Sequence, residues 1–163
     1  MITPLITSLI TSRNLLLSIA AACLAMLGAG MYIQHVLDLL PCPLCVVQRY
    51  LFLTVALACL LGAASGKPKL GAGLGLAASL GGIGVAARHL YILAHPGLSC
   101  GIDPLETSLN KIFTAQYLPF MFRADGLCED ATAPFFGLMI PQWALVWFVI
   151  FAIALTWTLA RRK

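Results

Sequence analysis

Four of the six cysteines in this 163-residue chain are spaced in a way that suits redox chemistry. Cys42 and Cys45 form a Cys-Pro-Leu-Cys pair, whereas Cys100 and Cys128 stand singly, 28 residues apart. The thiolate is the form that attacks disulfides, and it is favoured at a helix amino terminus or beside a cation. Cys45 opens a predicted helix, and Arg49 follows four residues later on the same face. An always-charged guanidinium at membrane depth is costly and by default marks function; the alternative is an arginine that snorkels to the interface. Cys100 and Cys128 suit either a structural staple or a second redox pair, since exchange through mixed disulfides passes electrons from one pair to another. Cys23 and Cys59 fall within apolar runs and are expected to be inert packing.

Whether the four cysteines meet depends on the elements that carry them. Apolar residues make up 61% of the chain and charged residues 10%, which leaves too little polar surface to coat a water-soluble globule. Four runs are long enough to cross a bilayer, near residues 14–33, 45–64, 70–93 and 139–160. With no water in the hydrocarbon to satisfy the backbone, they must be helices. The expected fold is therefore an all-α membrane protein, a four-transmembrane-helix bundle forming one integral domain over residues 1–163. Arg13 and the alanines before Cys23 resemble a cleavable leader, but the apolar run continues to Ile33 and reads as a retained helix.

Arg13, Lys67, Lys69, Arg161, Arg162 and Lys163 flank one side of the spans, against Lys111 and Arg123 on the other. The positive-inside rule then puts both termini in the cytoplasm and the loops 34–44 and 94–138 outside, in the periplasm of a bacterium. All four paired cysteines fall on that oxidising side. The long second loop carries a helix signal: Asp103 as cap, Pro104, Glu106, then Leu105, Leu109, Ile112, Phe113, Phe120 and Met121 at helical spacing. This predicts a short amphipathic helix lying on the membrane or on protein. Gly71 and Gly75, extended by Gly73, Gly81, Gly82 and Gly84, predict close helix packing in the third span.

Other chemistries fit less well. The isolated Cys100 and Cys128 are not the close-spaced pairs of a zinc site, so no metal is expected. His35, His89 and His95 lie near the outer span ends rather than at mid-membrane as haem ligands would. His89 or His95 suits a hydrogen bond to a bound ligand, or an ordinary interfacial histidine. The scattered basic residues form no nucleic-acid patch. Oxidising two thiols needs a two-electron acceptor, and there is no dinucleotide fingerprint; a lipid-soluble quinone needs none.

Taken together, Gln34-His35-Val36, Pro41-Cys42-Pro43-Leu44-Cys45 with Gln48-Arg49, Arg88-His89, the Cys100 and Cys128 loop, Gly137-Leu138 and Pro141-Gln142-Trp143 resemble the DsbB family. These are bacterial inner-membrane proteins that reoxidise the periplasmic dithiol oxidase DsbA. The resemblance implies a protein-dithiol:quinone oxidoreductase with Cys42, Cys45, Cys100 and Cys128 as catalytic residues. A reduced DsbA-like thioredoxin-fold oxidase would form a mixed disulfide at Cys100, and Cys128 would pass the electrons to the Cys42–Cys45 pair. Cys45 would contact ubiquinone or menaquinone, with Arg49 beside the developing anion. Arg88, His89 and His95 complete the expected cofactor-binding set. Two other readings remain: a structural membrane protein with static periplasmic disulfides, and a reductant-side transporter carrying electrons outward to thiols.

Overall fold

The computed structural model describes residues 11–95, 107–128, 132 and 134–161. Four long helices dominate: α1 (Ser12–Val36), α2 (Pro43–Ala64), α3 (Pro68–Ala94) and, at the end of the chain, a helix over Ile140–Ala160. All four are long and apolar enough to cross a membrane. Between α3 and the last helix come α4 (Thr107–Asn110), α5 (Phe113–Tyr117), α6 (Pro119–Phe122) and a minimal hairpin of β1 (Pro134–Phe135) with β2 (Leu138–Met139). The last helix is then α7.

Each long helix begins where the sequence supplies a start. Thr11 caps α1 by accepting a hydrogen bond from the Asn14 amide at 3.3 Å. Pro43, Pro68 and Pro141 occupy first-turn positions of α2, α3 and α7, where a missing N–H costs nothing. At the head of α7, Gln142 Oε1 accepts from the Met139 amide at 2.8 Å. The first three helices overrun the predicted spans by up to three residues, because the intrahelical ladder continues past the apolar stretch into the interface, and the last begins one residue inside its span.

Neighbours pack in the order α1 on α2, α2 on α3 and α3 on α7. The shared core contains Leu16, Val55, Cys59, Phe148, Phe151 and Leu155, with Phe52 and Phe148 stacked at 4.1 Å between centroids. Cys23 and Cys59 are free, fully buried thiols in this core, as expected of packing residues. In a bilayer there is little hydrophobic gain from bringing helices together, so close backbone approach must hold them. That role falls on the glycines of α3. A Cβ at Gly71 would lie 2.6 Å from Ala58 O and 2.7 Å from Gly62 Cα, both backbone atoms that cannot move aside. Gly71→Val is therefore expected to force α2 and α3 apart and to cost about 1–3 kcal/mol, read as a lower unfolding midpoint in detergent micelles. An unchanged midpoint would remove Gly71 from the packing account.

The second long loop departs from expectation. Instead of one amphipathic helix, its described part forms the three short helices α4, α5 and α6. Breaks fall at Lys111–Ile112 and at Leu118, which precedes Pro119 and is therefore biased away from helical geometry. Leu109, Ala115 and Phe122 turn inward, while Phe113, Tyr117 and Phe120 remain exposed. The predicted cap residues Asp103, Pro104 and Glu106 lie outside the described residues, as does Cys100.

Candidate functional site

The Cys-Pro-Leu-Cys segment is the amino terminus of α2. Cys42 is the cap itself: its Sγ accepts a hydrogen bond from the Cys45 amide at 3.3 Å. The helix terminus therefore donates directly to the Cys42 sulfur, while Cys45 lies in the first turn, at the helix start as the spacing implies. Cys45 occupies the third helical position, where its Sγ lies 2.8 Å from Cys42 Sγ and accepts from it. Both are free thiols. The bond to Cys45, together with burial, pushes the Cys42 thiol above its ordinary value. The pair is therefore asymmetric, with Cys42 holding the proton and Cys45 receiving it as a hydrogen bond.

His89, on α3, sits against this pair with no exposed surface. Its Nε2 is 3.8 Å from Cys42 Sγ and 3.4 Å from the carbonyl oxygen of Cys128. Cys128 is disulfide-bonded and buried. The sulfurs of Cys42 and Cys128 and a ring nitrogen of His89 all lie within 4.8 Å of one another. These three are metal-ligand types, but the Cys128 sulfur is engaged in its bridge, leaving only two free donors. Cys42, Leu44, Ile92 and Cys128 form a small apolar cluster around the contact. Two segments 86 positions apart in sequence thus bring the sulfurs of Cys42 and Cys128 together.

The loop is held there by a polar clasp centred on Arg49. Its guanidinium donates to Gly30 O at 3.2 Å, Gln34 Oε1 at 2.8 Å and Met121 O at 2.6 Å, tying α2 to α1 and to α6. Gln34 Nε2 in turn donates to Phe120 O at 2.9 Å, Tyr50 bonds the Thr114 hydroxyl, and Tyr50 stacks on Phe122. Asn110 pairs with both backbone groups of Ala124. Neither Gln34 nor the Met121 carbonyl is a site candidate from sequence: their pairing with Arg49 is long-range and leaves no local pattern.

Beside the clasp, a cavity of about 480 Å³ opens between α1, α2 and α7, within the range typical of small-molecule sites. One face of α2 lines it through Cys45, Gln48, Arg49 and Phe52, spaced three and four apart. Trp143 and Trp147 of α7 close the opposite wall. Gln48 is buried, and its Nε2 is without a hydrogen-bond partner among the described residues. A buried amide donor left open in an apolar cavity is costly unless a ligand acceptor meets it. The donor set therefore fits a flat apolar molecule bearing carbonyl oxygens.

The remaining sequence candidates lie elsewhere. His89 does not line this cavity; it faces the cysteine junction instead. Arg88 and His95 are exposed, with His95 bonded to Tyr91 O at 2.9 Å and its ring packed on the Tyr91 ring.

Comparison with known proteins is decisive on ancestry. Residues 12–158 match the family model described as disulfide bond formation protein DsbB. The chain belongs to the DsbB family. It is similar to the disulfide bond formation protein B of Herminiimonas arsenicoxydans, 54% identical over 93% of this chain and 98% of the relative. The Ralstonia nicotianae protein of the same name is 44% identical over 93% and 96%. That of Burkholderia pseudomallei is 40% identical over 96% and 94%. DsbB-family membership assigns the chain to disulfide-forming oxidoreductases, and with its four apolar helices it is a multi-pass membrane protein.

Proposed function

We propose that the protein is a protein-dithiol:quinone oxidoreductase of the bacterial inner membrane, with both termini cytoplasmic, that reoxidises a periplasmic DsbA-like thioredoxin-fold oxidase. The observation that carries this reading is the position of Cys45, whose partner Cys42 meets Cys128 while Cys45 itself lines the apolar cavity. A route for electrons then runs from the loop pair, Cys100 and Cys128, through Cys42 to Cys45 at the cavity wall. Thiol–disulfide exchange needs each attacking sulfur to reach its target, and the convergence of Cys42 with Cys128 supports that.

Quinone, when bound, supplies a two-electron acceptor. Cys45, Gln48 and Arg49 would hold its polar head, the open Gln48 amide meeting a carbonyl and the aromatic wall of Trp143 and Trp147 its ring. Arg49 would contribute positive charge without moving, because three oxygen acceptors already fix its orientation. A molecule seated in the apolar cavity would cover the half-buried Cys45 and exclude water, which strengthens that charge effect.

The test is oxidation of the reduced thioredoxin-fold oxidase by purified protein with added quinone. Wild type is expected to turn over catalytically, and no quinone-dependent turnover would refute the reading. Arg49→Met should raise the quinone concentration needed for half-maximal rate by roughly tenfold or more. It should also lower thermal stability, since Gly30 O, Gln34 Oε1 and Met121 O lose their donor. A variant that loses stability yet keeps its quinone requirement would confine Arg49 to the clasp.

A further inference from the structure

We propose that His89 is the hydrogen-bond donor for exchange between the two cysteine pairs, stabilising the thiolate at the junction of Cys42 and Cys128, which sits on Cys128 before the exchange and on Cys42 after it. The inference rests on the relay reading above and adds to it a group that acts on the sulfurs, not on the quinone.

His89 has no exposed surface, and its Nδ1 is without a hydrogen-bond partner among the described residues. Packing alone would be better served by an apolar side chain, as Leu44 and Ile92 show in the same cluster. The ring's other nitrogen has a defined task. A carbonyl oxygen only accepts, so the 3.4 Å approach to Cys128 O makes Nε2 the protonated nitrogen. The same N–H lies 3.8 Å from Cys42 Sγ. Both contacts are long for neutral partners. A sulfur that becomes anionic is a stronger acceptor and draws such a donor in. His89 is also absent from the cavity lining, which separates it from quinone binding.

The exchange balances within the protein. The Cys128 thiolate attacks Cys42 Sγ of the Cys42–Cys45 disulfide. The Cys42–Cys128 bond forms, the Cys42–Cys45 bond breaks, and the electron pair stays on Cys45. The Cys100 thiolate then attacks Cys128 Sγ, forming the Cys100–Cys128 bond and breaking Cys42–Cys128, with the electron pair left on Cys42. Two electrons have moved from the loop pair to the helix pair: the His89 N–H lies 3.8 Å from Cys42 Sγ, where the second step leaves the charge, and a ring nitrogen lies within 4.8 Å of Cys128 Sγ, which carries the charge before the first.

Oxidised, quinone-depleted protein is mixed with one equivalent of the reduced thioredoxin-fold oxidase, quenched by alkylation at intervals, and its bridges mapped by mass spectrometry. Leaving out quinone separates this result from the fate of the quinone reading. His89→Phe is expected to slow appearance of reduced Cys42 and Cys45 by roughly 100-fold. His89→Gln, whose amide places an N–H near the position of Nε2, is expected to recover most of that loss. Wild-type speed in His89→Phe overturns the inference, and so does equal slowing in both variants, which would mean that the ring only packs. Absence of transfer in wild type overturns the relay together with the inference.

Discussion

Cys45→Ser is expected to reduce quinone-coupled turnover to background, a loss of at least ~10³-fold of the kind seen when a nucleophile is removed, while leaving the first encounter with a dithiol partner intact. A hydroxyl forms no disulfide and holds no electron pair for transfer, so the route ends one sulfur short of the cavity. Upstream chemistry is untouched, because Cys128 is already bridged and lies on a different element from Cys45. The variant should therefore accumulate a mixed disulfide with the reduced thioredoxin-fold oxidase, visible as a shifted band on non-reducing gels, instead of cycling. The fold has little reason to suffer. Cys45 is only half-buried, and the α2 cap is made by its backbone amide with Cys42 Sγ, which serine retains. Turnover at the wild-type rate would remove Cys45 from the electron route. Failure to form any mixed disulfide in variant and wild type alike would favour static bridges.

How far the sequence reaches can be judged from these same residues. The four spans were legible because hydrocarbon length and backbone satisfaction leave few alternatives, and first-turn prolines mark the starts of three of them. The pairing of Cys42 with Cys45 was legible because three-residue spacing at a helix start is a local geometry. Local spacing also placed Arg49 on the face of Cys45, and both do line one cavity. What it missed is where the guanidinium's donors go: to backbone carbonyls of Gly30 and Met121, contacts that join segments far apart in sequence. Which sulfur receives a helix N–H depends on the extended backbone of Cys42, which three-residue spacing alone does not specify. His89 shows the limit most plainly. Its place near the outer end of its span suits a hydrogen bond to a bound ligand, whereas the packing of α3 on α2 brings it to Cys42 and the return of the loop brings Cys128 to both. The loop is helical as its spacing implies, but in three short pieces, one break falling at Pro119, which interrupts the ladder.

Gly126 carries the other large expectation, and no sequence pattern pointed to it beyond an Asp-Gly dipeptide typical of turns. Its amide donates to Pro41 O at 3.1 Å, pinning the loop against the residue before Cys42. A Cβ there would fall 2.1 Å from Leu40 O and 2.7 Å from Leu40 C. These are backbone atoms in the short connection that leads into α2, so no rotamer change relieves the clash. Gly126→Ala must push the loop outward, and Cys128, two residues further on, moves with it. Exchange between sulfurs requires direct in-line approach, and a misplacement of about 1 Å is enough to cost ~10²-fold. We therefore expect Gly126→Ala to slow transfer from the loop pair to the Cys42–Cys45 pair by about that factor. Quinone reduction driven by dithiothreitol acting directly on Cys42 and Cys45, in a background with Cys100 and Cys128 replaced by serine, should fall less than that transfer does, because the cavity is lined by Leu40 and Pro41 but by none of residues 107–128 of the loop. Equal loss in both assays would mean that the methyl disrupts the helix start instead of the loop. No loss in either would mean that the contact of Pro41 with Gly126 does not set the distance between Cys42 and Cys128.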